Sequence, residues 1–220
     1  MESQILFNDQ RKTMIIAYVG LPRSGKTYSI AKDALGQMQH RHVFANFHLV
    51  GAHGYRDLKE VLGVRKGLII ADEVNILCPA YLRHKLPMEY LSLWTQSGKK
   101  TVDMYYSTQS FEDVDVRIRR ITNFVWDHKR LIGRLHVARL YKGRDFERGR
   151  KHKPLRTHYF YLTPKVWDLY DTFAVIEPAE HLGGLKGTFK DPMDLPLFGQ
   201  ITQPEASGLP EYDDKTPGLL

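Results

Sequence analysis

The residues best equipped for chemistry form one octapeptide, GLPRSGKT, from Gly20 to Thr27, directly behind the apolar run Met14 to Val19. It matches the pattern GxxxxGK[ST] in full. In such a loop the glycines let successive main-chain N–H groups turn inward around phosphate oxygens, and the start of the following helix adds its dipole. On this reading Gly20, Leu21, Pro22, Arg23, Ser24, Gly25, Lys26, Thr27 and Tyr28 hold ATP. Lys26 reaches the β- and γ-phosphates and the Thr27 hydroxyl ligates Mg²⁺. A chance match would lack a buried-strand pattern before the loop and a helical one after it, and both are present.

A second chemical stretch is GLIIADE, Gly67 to Glu73. Four apolar residues read as a central parallel strand, apolar on both faces, that delivers two acids to the carboxyl edge of the sheet. Asp72 would hold the Mg²⁺ shell, and Glu73 would orient or deprotonate the attacking water. A third is TVDMYYSTQ, Thr101 to Gln109, another central strand with a polar tip. Gln109 is placed there to contact the γ-phosphate or the lytic water, with Thr108 as the alternative. Next, Asp113 to Ile121 (DVDVRIRRI) reads as a short amphipathic helix whose start draws its cap and acidic first turn from Asp113 and Asp115, with Val114, Ile118 and Ile121 inward and Arg117, Arg119 and Arg120 outward. One of these arginines reaching a neighbouring subunit's site would stabilise transition-state charge; the plainer reading is surface charge.

The elements that must position these groups follow from periodicity. Lys26 to His40 carries Ile30, Ala31, Ala34, Leu35 and Met38 at helical spacing, and Val43 to Leu49 reads as a second strand. Gly51 to Arg65 reads as a loop with a short helix around Leu58, and Asn75 to Leu86 as irregular. Pro87 then opens a helix running to about Ser97. After Asn123 the texture turns to strands (FVWDHKRLI, RLHVARLY, THYFYL), the last two separated by a basic loop from Lys142 to Pro154. Pro164 to Phe173 reads as a short helix. The expected fold is an α/β three-layer sandwich with a mainly parallel sheet. Numbering the five core strands in chain order, the expected order is 5-1-4-3-2, extended by C-terminal antiparallel strands. The expected organisation is an ATPase domain over 1–176, with a core at 14–130 and a β-rich basic extension at 123–162, then an acidic Pro/Gly-rich tail over 177–220.

Composition narrows the partners. The chain has 220 residues and a net charge of +7, unevenly spread. Arg117 to Arg156 holds 14 Lys or Arg against three acids, whereas Glu177 to Leu220 holds eight acids against three lysines. So basic a segment suits phosphate binding by counterion release, and DNA is the expected partner; a solvated basic β-surface is the alternative. Trp126, Tyr141, Tyr159 and Tyr161 interleave with the charges as a base-stacking surface would, though aromatics in strands are more often core. A single cysteine, Cys78, excludes an internal disulfide and suits a reducing compartment. No apolar run reaches the roughly 18 residues of a membrane span, and the N-terminus does not read as a signal peptide. The histidines show no metal-ligand spacing, so no zinc site is expected. Pro204 to Leu220 reads as a disordered or partner-dependent tail.

Taken together, GLPRSGKTY, LIIADEVNILCP, WTQSGKK, YYSTQ and DVRIRRITNFVWDHKR occur in the order seen in the zonular occludens toxin (Zot)-like family, which includes the assembly ATPases of filamentous phages. The resemblance covers about Met14 to Arg130. It implies an ATPase that assembles or extrudes a virion by acting on phage DNA. Members of that family usually carry a transmembrane helix after the ATPase region, and this sequence shows no such run. The expectation is therefore a motor without a membrane span of its own, similar to the genome-packaging ATPases of icosahedral viruses. Both groups look like FtsK/HerA translocases, which work as rings, so a homo-oligomeric ring is expected, with a hexamer as one arrangement. Capsid or membrane assembly proteins are the implied partners, and the host cytoplasm, peripheral to a membrane or at a virion vertex, is the implied location.

Overall fold

The computed structural model describes residues 13–82, 86–149, 153–163, 166, 170, 192–195 and 197. In chain order the elements are β1 (Ile15–Val19), α1 (Lys26–Met38), β2 (Val43–Ala45), β3 (His53–Gly54), β4 (Leu68–Ala71), α2 (Val74–Leu77), α3 (Met88–Thr95), α4 (Ser97–Lys100), β5 (Asp103–Thr108), α5 (Val116–Ile121), β6 (Phe124–Arg130), β7 (Leu135–Lys142), α6 (Gly143–Glu147) and β8 (Arg156–Tyr161).

The strands form one eight-stranded sheet in the order β3-β2-β4-β5-β1-β6-β7-β8. From β3 to β6 every pairing is parallel; β6–β7 and β7–β8 are antiparallel. The core order β6-β1-β5-β4-β2 is the one expected from the sequence, and the antiparallel strands extend that same sheet.

Period-two alternation sends side chains to two cores, one on each face. On one face Tyr18, Ile70 and Tyr105 pack against Ile30, Ala31 and Ala34 of α1. On the other, Ala17, Ala71 and Tyr106 pack against Trp94 of α3, Ile118 of α5 and Phe146 of α6. Trp94 meets the Tyr106 ring edge-on at 5.5 Å, an arrangement worth about 0.5–1.5 kcal/mol beyond area burial. At the amino edge, Asp103 accepts from the Met14 N–H at 2.7 Å and pairs with Arg41 at 2.6 Å, tying the starts of β1 and β5 to the chain beyond α1.

Several boundaries depart from the sequence reading, each for a local reason. Strand β2 ends at Ala45 because Asn46 leaves the ladder to bind the main chain of Asp72. The basic stretch after β7 is not all loop: it holds α6, because Phe146 turns into the core against Phe111 and Tyr141, with ring centroids 5.3 and 5.5 Å away. Between Asn75 and Leu86, α2 and a 3₁₀ turn at Ala80–Leu82 replace irregular chain. Pro87 stands at the N-cap of α3, one residue ahead of its first turn. The helix expected over Asp113 to Ile121 is a 3₁₀ turn at Phe111–Asp113 followed by α5, whose cap is Asp115 accepting from the Arg117 N–H at 2.8 Å.

Part of the segment placed in the acidic tail belongs to the folded body. Leu195 is buried in the core that holds Trp94 and Tyr106, and Leu197 bridges His53 at the β3 edge. The tail from Pro204 onward, most of Pro164 to Phe173 and the N-terminal arm lie outside the described residues.

Candidate nucleotide site

Parallel register sets the site. Val19, the last residue of β1, lies beside Thr108 on β5 and Asp127 on β6, and Ala71 of β4 lies beside Tyr106. The carboxyl ends of β1, β4 and β5 therefore meet at one edge, where Gly20, Asp72 and Gln109 leave their strands. Ligands of open parallel sheets bind in such a crevice.

The loop Gly20 to Gly25 joins β1 to α1 with the backbone that the glycine pattern demands. At Gly20 (φ 153°) a Cβ would stand 2.4 Å from the His128 carbonyl oxygen on β6, so only glycine allows that approach. Gly25 caps α1 at φ 91°, in the left-handed region that glycine enters without strain. The N–H groups of the first helical turn have no partners inside the helix and remain for a ligand. Lys26 is buried; its Nζ donates to the carbonyls of Gly20 at 2.7 Å and Leu21 at 3.3 Å. Burial pulls its pKa down, and Glu73 and Asp72 push it back up. Leu21, Pro22 and Arg23 are exposed, Arg23 at φ 62°. The Tyr28 side chain points inward instead, stacked on Phe160 at 5.8 Å with its hydroxyl 3.1 Å from Thr163 Oγ1.

Opposite the loop stand the two acids. Thr27 Oγ1 donates to Asp72 at 3.3 Å, and the Ser107 hydroxyl donates to the same carboxylate. Asn46 clamps the Asp72 main chain from both sides, accepting from its N–H at 2.7 Å and donating to its carbonyl at 3.0 Å. Burial raises the Asp72 pKa, and the hydrogen bond from Ser107, the charge of Lys26 and the hydroxyl of Thr27 oppose the rise. Glu73 sits at φ 48°, a left-handed conformation that costs a non-glycine residue of order 1–3 kcal/mol. Its N–H donates to Ser107 Oγ at 2.9 Å and its Oε1 lies 3.9 Å from Lys26 Nζ. Burial raises the Glu73 pKa; Lys26 lowers it, Asp72 raises it and a hydrogen bond from Gln109 lowers it. Glu73 Oε2 is buried without a partner. Lys26, Thr27, Asp72, Glu73 and Gln109 are thus brought together, and Thr108 instead turns its hydroxyl to the Ser110 carbonyl at 2.8 Å.

The three arginines of α5 do not share one role. Arg119 is mostly covered, donating to Glu147 of α6 at 2.9 Å with its guanidinium 5.9 Å from the Phe111 ring centroid. Arg117 binds its own cap residue, Asp115, at 2.7 Å. Arg120 is exposed. An open cleft of about 780 Å³ runs beside the loop, lined by Gly20, Leu21, Gln109, Arg119, Asp127 and Glu147 among others. Of the aromatics read as a stacking surface, Tyr141 is buried and Trp126 packs on the core beneath α1; Tyr159 and Tyr161 are exposed, at 61% and 64%.

Sequence reasoning missed Asn46, Ser107, His128 and His136. His136 Nδ1 donates to the Ser24 carbonyl at 2.9 Å. His128 is buried, with Nδ1 donating to the Trp126 carbonyl at 3.1 Å and Nε2 accepting from Ser29 Oγ at 2.9 Å. That pattern is the neutral tautomer, and burial, the largest influence, holds its pKa down at about 4.

Hard oxygen donors from a hydroxyl and a buried carboxylate suit Mg²⁺, and Thr27 and Asp72 supply both within 3.3 Å of each other. Among the described residues no cluster of three or more His, Cys, Asp or Glu could hold a metal by itself, and no helix is long and apolar enough to cross a membrane.

No protein-family model matches the chain, and no curated protein matches it. Solved structures do. The N-terminal domain of zonular occludens toxin from Neisseria meningitidis is similar with a TM-score of 0.57 at 18% identity, over 73% of this chain and 100% of that one. The genome packaging NTPase B204 from Sulfolobus turreted icosahedral virus 2, solved with AMPPCP, is similar with a TM-score of 0.48 at 10% identity, over 70% of this chain and 100% of that one. The first likeness shows a shared fold, the three-layer P-loop sandwich.

Proposed function

We propose that the chain is an ATPase of virus assembly, working as an oligomeric DNA translocase in genome packaging. The observation that carries this reading is the meeting of Lys26, Thr27, Asp72, Glu73 and Gln109 at one sheet edge, around a loop with two left-handed or near-left-handed glycines. Lys26 binds the β- and γ-phosphates, and Thr27 and Asp72 hold Mg²⁺, which when bound would neutralise charge developing on the transferred phosphoryl group. Glu73, its carboxylate already steered by Lys26 and Gln109, orients and deprotonates water. Gln109 contacts the γ-phosphate. An arginine completes the site across a subunit interface; Arg120 is the exposed candidate, since Arg119 and Arg117 have partners within the chain. The basic strands β6 to β8 support a DNA partner through Lys129, Arg130, Arg134, Lys142 and Arg156, all exposed.

The fold shared with the zonular occludens toxin domain favours a second reading, an assembly or extrusion ATPase that organises a membrane complex without moving DNA. One experiment separates them: ATP turnover with and without single- and double-stranded DNA, with mass measured by light scattering. A translocase shows a ring-sized mass and turnover that rises with DNA. Turnover indifferent to DNA supports the second reading, and no Mg²⁺-dependent hydrolysis under any condition removes both. Duplex DNA held by these five basic residues should weaken with salt at a log–log slope of about −4.5.

A further inference from the structure

The phosphate loop is gripped from its outer side by the antiparallel strands. The His128 carbonyl of β6 closes on Gly20, and a Cβ at Gly25 would stand 3.3 Å from the Phe160 ring of β8 and 3.4 Å from His136 Nδ1 of β7. His136 is buried, 1% exposed, stacked on Phe160 at 5.6 Å, and its Nδ1–H donates to the Ser24 carbonyl at 2.9 Å. That carbonyl belongs to the peptide joining Ser24 to Gly25. A trans peptide is planar, with its C=O and N–H on opposite edges. Anchoring the Ser24 oxygen outward therefore turns the Gly25 N–H away from His136. Nothing local would otherwise hold that plane, because glycine tolerates either orientation after a peptide flip.

From this geometry we propose that His136 is a positioning residue for nucleotide binding. Its Nδ1–H locks the Ser24–Gly25 peptide so that the Gly25 amide faces the phosphates, making β7 part of the phosphate cradle. The proposal rests on the reading of Gly20 to Thr27 as an ATP site.

The test is ATP affinity, with Mg²⁺, measured by calorimetry on the full chain and on three variants. His136→Phe keeps the ring stacked on Phe160 and removes the donor. His136→Asn places an amide N–H near the Nδ1 position, and His136→Gln places it near Nε2. The Phe and Gln variants should bind ATP about 10- to 100-fold more weakly, the worth of one charge-assisted hydrogen bond, and Asn should recover to within about threefold of the parent chain. Melting without nucleotide should leave the Asn and Gln variants alike, so a binding gap between them reports donor placement and not general stability. Should the Phe variant not fold, the Asn/Gln pair decides. Equal affinity in Gln and parent, or no recovery in Asn, overturns the proposal alone. A parent chain that binds no ATP overturns the nucleotide reading and the proposal with it.

Discussion

Lys26 Nζ stands 3.9 Å from Glu73 Oε1, although Lys26 opens α1 behind β1, Glu73 follows β4, and β5 lies between those two strands. The ammonium that would bind phosphate and the carboxylate that would act on water thus face each other. Lys26 also donates to the Gly20 and Leu21 carbonyls, so its partners without a nucleotide are the loop itself and the acid. A triphosphate would replace these contacts with stronger charge-assisted ones, freeing Glu73 for water.

Glu73→Gln tests that division of labour. The amide keeps size and hydrogen bonding and removes the base, so ATP binding should persist while turnover falls about 100- to 10,000-fold, the range typical of a positioned general base. Steady-state hydrolysis beside a binding isotherm measures both. Undiminished turnover would remove Glu73 from the chemistry.

Asp72→Asn should trade function for stability. Burial raises the Asp72 pKa, so the ionised form is less favourable in the folded chain than in the unfolded one. The stability linked to its protonated form is complete below the ordinary carboxyl value and is lost as pH rises through the raised folded value. At neutral pH without Mg²⁺ a neutral asparagine should therefore melt higher, by about 2–4 °C if the gain is near 1 kcal/mol. The advantage should shrink as pH falls, and Mg²⁺-dependent ATP binding should be lost. A variant that melts lower at neutral pH would show that the carboxylate's hydrogen bonds outweigh its burial.

What was legible in the sequence is what short stretches encode. The loop, the DE strand and the polar tip at Gln109 each lie within nine residues of chain, and that polar tip, read as marking an added central strand between the phosphate-loop and DE strands, leads to the order β6-β1-β5-β4-β2. What escaped depends on pairings distant in sequence: Asn46 with Asp72 across 26 residues, Ser107 with Asp72 across 35, His136 with Ser24 across 112. The rule that singled out Gln109, a polar residue at the carboxyl tip of a parallel strand, applies equally to Asn46 after β2. Nothing local marks His136, whose role appears only once β7 folds back beside β6. The arginines of α5 were read outward from charge alone, and Arg119 turned in because α6 brought Glu147 against it.

Asn46→Ala follows from that pairing. Deleting the side chain leaves the Asp72 N–H and C=O without partners at a buried position, at about 1–3 kcal/mol for each unsatisfied group. Urea unfolding should report a loss of roughly 2 kcal/mol or more. Turnover should fall at least about tenfold, since the proposed mechanism depends on placing Asp72 and Glu73 within fractions of an ångström. Wild-type turnover in a folded variant would mean Ser107 alone holds the acids.

His128 gives the chain a pH dependence of definite sign. Its folded pKa is about 4 against an ordinary 6.5, because the ring is buried as a neutral donor–acceptor between Trp126 and Ser29. Between these values the unfolded chain binds a proton that the folded chain refuses, so stability is complete above about 6.5 and drains away as pH falls toward 4. At about 1.4 kcal/mol per pH unit, His128 should remove roughly 2–3 kcal/mol between pH 7 and pH 4.5. Other groups titrate in the same window, so the measurement is a difference: urea unfolding of the parent chain and of His128→Gln at both pH values. The variant should start less stable at pH 7, having lost the ring's packing on Tyr18 and its two hydrogen bonds, and then decline less steeply. Parallel declines would mean that the ring takes up its proton in the folded state as readily as in the unfolded one, and that its carbonyl contact with Gly20 is no more sensitive to acid than the rest of the sheet.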